Sequence, residues 1–145
     1  MNIFPGSAAV AQLAVNQLVA GSNPAPGAMK IVTDKITIAE LESMAKNMYG
    51  NLVKAVVDVA KEIMAVDAEL HADEERLLLE QGSKQEDLWG INFYPEMAGE
   101  DFIEFDSMIN LRPAQGNRSR GVDNIETQAK IKKIIAKLII DDLPT

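Results

Sequence analysis

The first 28 residues of the chain carry no charged side chain, and all 14 basic and 22 acidic residues follow Met29. A stretch without charge and a stretch rich in charge do not meet water in the same way. The chain therefore divides into an uncharged N-terminal arm and linker, residues 1–28, and a single domain, residues 29–145. Within the arm, Ala8 to Ala20 (AAVAQLAVNQLVA) is helix-competent and apolar nearly all round. It is too short to span a bilayer, which takes about 20 residues, so no membrane span is expected. Its length suits the core of a signal peptide, but no Lys or Arg precedes it. Gly21 to Gly27 (GSNPAPG) reads as a linker. An apolar helix alone in water would be a sticky patch. An ordered arm is therefore expected to be buried against another subunit. A disordered leader ahead of an older start at Met29, and a targeting segment, are the alternatives.

The chain has no cysteine, which excludes disulfides, thiolate metal sites and a cysteine nucleophile. A cytoplasmic location fits this composition. A net charge of −8 argues against general nucleic-acid binding. Charge is also uneven: residues 1–111 hold 7 basic and 18 acidic side chains, residues 112–145 hold 7 and 4. A basic tail on an acidic body suits pairing between subunits or capture of a small anion.

Along the domain, Lys30 to Val32 reads as a short strand or an extended lead-in. Thr37 and Glu40 form a capping box for a helix from Ile38 to about Met48, with Ile36 and Leu41 at the staple positions. Residues 52–70 admit two readings. Leu52, Val56, Val59, Ile63 and Val66 fit one helix face. The β-branched content favours instead a hairpin of Val53–Val59 and Ile63–Leu70, and later strands need partners. The hairpin is the expectation. Asp73 is a plausible cap for a helix Glu74–Gln81 ended by Gly82. Strands are expected at Glu86–Tyr94 and Phe102–Leu111, each stopped by a proline. Asp123 and Glu126 suggest a second capping box, for a last helix burying Ile131, Ile134, Ile135 and Leu138. The expected fold is α+β, in the order α-β-β-α-β-β-α. It has a four-stranded, mostly antiparallel sheet with helices on one face.

Several stretches carry a resemblance: Glu69-Leu70-His71-Ala72-Asp73, Gly82-Ser83, Gln85, Asp87-Leu88-Trp89-Gly90, Ile109-Asn110-Leu111-Arg112-Pro113 and Gly116-Asn117-Arg118. From residue 29 onward the chain resembles a family of small prokaryotic proteins with no assigned function. The resemblance implies the domain start and the hairpin, and no activity.

Two constellations could carry chemistry. If the strand runs through residue 71, Asp67, Glu69 and His71 alternate onto one face. Two carboxylates and an imidazole so spaced could hold a divalent metal, with Glu104 and Asp106 near. Arg112, Asn117, Arg118 and Arg120 lie in a glycine-containing loop before a helix, a setting that favours anions. Trp89, Ile91 and Phe93 share a strand face and read as core. No nucleophile-elbow, dinucleotide or phosphate-loop pattern is present. The functional expectation is a non-catalytic interaction or regulatory module working as a homo-oligomer without a cofactor. The alternative is a metal-dependent hydrolase acting on a phosphorylated small molecule or nucleotide.

Overall fold

The run Val53-Lys54-Ala55-Val56-Val57-Asp58 settles the architecture, because five of its six residues are buried. A strand apolar on both faces must be covered on both. In the computed structural model, which describes residues 29–141, this strand is the middle of a five-stranded sheet. The expectations for the arm lie outside the described residues. In chain order the elements are β1 (Lys30–Val32), β2 (Ile36–Thr37), α1 (Ile38–Asn47), β3 (Val53–Asp58), β4 (Ile63–Val66) and α2 (His71–Glu80). Then come β5 (Leu88–Phe93), β6 (Ile103–Glu104), α3 (Ile125–Leu138) and β7 (Ile139–Ile140). The main sheet runs β1-β4-β3-β5-β6, and β2 pairs with β7 in parallel as a separate two-stranded sheet. The fold is α+β, and every pairing within the main sheet is antiparallel.

The hairpin forms: Ala55 faces Val66 and Asp58 faces Ile63. Its turn has no Gly or Asn, and the sequence supplies two substitutes. Asp58 Oδ1 accepts from the N–H groups of Ala60 and Lys61 at 2.8 and 2.9 Å. Glu62 takes the left-handed conformation, φ 60°. Asp58 Oδ2 also accepts from the Ser83 hydroxyl at 2.5 Å, tying the turn to the end of α2. Gly82, at φ 97°, closes that helix as expected.

Two expectations about the sheet need correction. It has five strands, because β1 adds to β4 through Lys30–Val66 and Val32–Met64. The helices also lie on both faces rather than one. α1 and α3 bury Leu41, Ala45, Ile131, Ile134, Ile135 and Leu138 against Val53, Ala55, Val57, Trp89, Ile91 and Phe93. α2 covers the other face, where Leu78 meets Val56, Ala65 and Leu88. Each fully buried aliphatic side chain contributes about 1.5–3 kcal/mol relative to exposure.

The Thr37–Glu40 capping box of α1 is present, with bonds of 3.1 and 2.9 Å. At α3 the cap is Asn124, whose side chain accepts from Glu126 and Thr127 N–H. Asp123 instead binds backward, to Arg118 N–H and the Ser119 hydroxyl. The strand expected over Phe102–Leu111 shrinks to β6, two residues. Beyond it Ser107 caps a single 3₁₀ turn, Met108–Asn110, and Asn110 is fully buried.

Candidate functional site

Alternation along β3, β5 and β6 places Lys54, Asn92 and Glu104 in register, Lys54 opposite Asn92 and Asn92 opposite Glu104. These residues share the α2 side of the sheet, so a polar row crosses it beyond the N-terminus of α2. The Asn92 amide nitrogen donates to Glu104 Oε1 at 2.9 Å and to the Asp106 carbonyl at 3.3 Å. Its Oδ1 is buried without a partner. The Tyr94 hydroxyl donates to the same Glu104 oxygen at 3.0 Å. Burial and the Glu104 carboxylate both raise the Tyr94 pKa.

His71 opens α2 above this row and is buried. Its Nε2 lies 2.8 Å from the Ile91 carbonyl. A carbonyl only accepts, so Nε2 carries the hydrogen and Nδ1 is the acceptor in the neutral ring. Burial pulls the His71 pKa down to about 4, the Ile91 carbonyl opposes this, and Lys54 adds to the lowering. One turn on, Glu74 is fully buried. Its Oε2 accepts from Ala68 N–H at 3.1 Å and its Oε1 has no partner. Burial lifts its carboxyl well above the ordinary range, and Lys54 opposes. Burial also raises Asp67, which sits at φ 73°, a conformation non-glycine residues rarely adopt.

The three residues considered for a metal are therefore not on one strand face. β4 stops at Val66, Asp67 turns out of the ladder, Glu69 is exposed in the connection and His71 begins a helix. Among the described residues no group of three or more His, Asp or Glu side chains is placed to hold a metal ion.

The anion candidates also disperse into separate tasks. The Arg112 guanidinium donates to the carbonyls of Gln85 and Leu88, the latter at 2.8 Å. It lies 4.3 Å over the Trp89 ring. Asn117 is buried: its amide nitrogen reaches the carbonyls of Asn110, Ser119 and Gly121, and its Oδ1 takes Asp123 N–H. Arg120 pairs with Asp106 at 2.8 Å. The Arg118 side chain alone is exposed with no hydrogen bond or ion pair among the described residues. Because Arg112 braces β5, Arg112→Lys should cost about 1–2 kcal/mol, since one ammonium cannot replace both donations and the ring contact. Urea unfolding followed by Trp89 fluorescence reads it. An unchanged midpoint would show that the guanidinium carries no structural weight.

Sequence reasoning passed over Lys54, Glu74, Asn92 and Asn110. Asn92 had a signal, an amide in the middle of the apolar strand Leu88–Phe93. A buried amide there needs partners off the strand.

A second feature is apolar. A groove of about 390 Å³ opens between α3, the start of α1 and the 97–103 segment. Ile38, Met97, Phe102, Ile103, Ile135 and Ile139 line it, with Lys132 and Asp141 also on its wall. Met97 is 51% exposed, and Ile38, Phe102, Ile103 and Ile139 are half-buried. Among the described residues no helix is long and apolar enough to cross a membrane.

No curated protein and no solved structure matches the chain significantly. A family model does match, over residues 30–138, which takes in every strand and helix of the main sheet and its two covering layers. The chain thus belongs to the family described as protein of unknown function DUF5674.

Proposed function

We propose that this protein is a non-catalytic interaction module that works as a homo-oligomer in the cytoplasm. The observation that carries the reading is the open groove beside α3. An apolar surface of this kind, walled by half-buried Ile and Phe side chains, is a docking feature. Charge supports the same reading. Lys130, Lys133 and Lys137 line one side of α3, and only Lys137 has an acidic partner among the described residues, Glu62. Glu96, Glu100 and Asp101 lie exposed on the 96–101 segment, so copies of the chain offer each other opposite charges. The polar side chains that could have served chemistry are largely committed to holding the fold. The alternative, a metal-dependent hydrolase, drew its metal set from Asp67, Glu69 and His71 sharing one strand face, and β4 ends at Val66. The interaction reading is therefore the better supported.

Light scattering on the full chain at micromolar concentration should give at least twice the 15.8 kDa chain mass. It should fall on raising salt, because rim charges are screened. A monomeric mass at low salt would end the proposal.

A further inference from the structure

We infer that the groove beside α3 is the receptor for residues 8–20 of a second copy of this chain, so that two copies exchange arms. The inference rests on the homo-oligomer reading and names the element that would build it.

Three observations converge. First, the chemistry matches. The groove is lined by six large apolar side chains with charge only at Lys132 and Asp141. Residues 8–20 are the longest uncharged apolar stretch outside the described fold. A quarter of the chain is charged, yet none of it lies in this segment. Read as a helix, Ala11, Val15 and Leu18 fall at offsets 0, 4 and 7, the spacing with which a helix presents anchors to a groove. Gln12 and Asn16 then fall on one flank of that face and Gln17 on the other, with Leu13 opposite it.

Second, the volume fits. About 390 Å³ lies within the range of pockets that hold an apolar ligand. It suits a few aliphatic side chains of one helix face and not a whole domain.

Third, the linker length permits exchange. The described chain begins at Met29, just before edge strand β1, while the groove lies beside β6 at the opposite edge. Four inter-strand steps separate them, about 19 Å at the usual spacing. The eight residues 21–28 span at most about 29 Å fully extended. That length reaches the chain's own groove or a neighbouring copy's, and the homo-oligomer reading selects the second copy. In a two-fold pair that set each β1 edge beside the other copy's groove, every contact would be made twice.

The absence of cysteine makes the test direct. Chains carrying Leu18→Cys are mixed with chains carrying Ala136→Cys, on the groove wall, and oxidised mildly. A disulfide-linked heterodimer should form at least tenfold faster than with Lys84→Cys, an exposed position far from the groove in sequence. Rates equal to that control overturn the inference. So does a double variant, Leu18→Cys with Ala136→Cys, that closes the bond only within one chain. Light scattering on the reduced full chain and on a chain starting at Met29 separates this failure from failure of the parent reading. An oligomer that survives deletion of residues 1–28 and gives no cross-link removes the arm and keeps the homo-oligomer. A full-length monomer removes both.

Discussion

Asn110→Ala should cost about 3 kcal/mol or more, among the largest single losses available to the chain. Asn110 is fully buried. Its Oδ1 accepts from Gly90 N–H at 2.8 Å, and its amide nitrogen donates to the carbonyls of Gly90 and Arg120 at 2.9 and 2.8 Å. Alanine would leave the N–H and the carbonyl of Gly90 without partners, at about 1–3 kcal/mol for each group that water cannot reach, while the Arg120 carbonyl would keep only the Ser107 N–H. The opposite experiment at the same place is Gly90→Ala. A Cβ there would lie 2.5 Å from both Cβ and Oγ of Ser107 and 3.2 Å from the His71 ring. The first contact is with a side-chain root, which cannot swing away, so a backbone shift costing about 1–3 kcal/mol is expected. Each change should lower Tm by roughly 5–15 °C. Gly50→Ala tests a different cost, backbone strain alone, because Gly50 sits at φ 93° with nothing within 4 Å of a would-be Cβ. If Asn110→Ala melts within 2–3 °C of the parent, roughly the shift of 1 kcal/mol or less, the amide bonds are not structural.

Acid should weaken the fold through His71 before it reaches the bulk of the carboxylates. The folded imidazole titrates near 4, against 6.5 ordinarily. Between those values the unfolded chain binds the proton and the folded chain does not. Stability therefore rises with pH across that window and falls as pH drops from 6.5 toward 4, by about 3 kcal/mol in all. Glu74 works in the opposite sense. Its folded carboxyl keeps a proton to a pH well above the ordinary 4.5, so the fold loses stability as pH rises above 4.5 toward that folded value. The two groups share α2 and oppose each other, which flattens the parent's profile. Replacing one exposes the other. His71→Gln keeps a donor for Ile91 and removes the titration. Its deficit against the parent should shrink as pH falls from 7 to 4.5 in urea titrations. Parallel curves would mean that the imidazole is not desolvated as its burial implies.

Local signals in the sequence were reliable where the physics is local. Thr37 with Glu40 fixed the start of α1, and the spacing of Ile131, Ile134, Ile135 and Leu138 fixed the buried face of α3. Asp123 with Glu126 looked like the same signal, yet Asn124 beside it takes the cap and Asp123 is drawn to the 118–119 loop. Two neighbouring oxygens could serve, and the tertiary loop decides. Layering was harder to read. A helix such as α2 shows its apolar stripe through Leu78 and Leu77, but nothing in the stripe states which sheet face it will cover. The signal lay in β3, where Ala55, Val56 and Val57 follow one another without a polar break. The polar row was least accessible, because Lys54, Asn92 and Glu104 come from three strands and meet only through register. The proposed metal set rested on period-2 alternation continuing to residue 71, and one left-handed residue, Asp67, ends it.

The two-residue length of β6 bears on how the molecule behaves among many copies of itself. A strand such as β5, buried along all six residues, would be an inviting template for a foreign strand where β6 fails to cover it. The peptide groups in question are those of Leu88 and Gly90. The chain fills them with side chains: the Asn110 amide takes both groups of Gly90, as a neighbouring strand would, and Arg112 takes the Leu88 carbonyl. Side chains can satisfy a strand edge without extending it, so the sheet ends here and offers no ladder for another chain to lengthen. A strand buried along its whole length can then sit one position from the rim of the sheet without seeding aggregation.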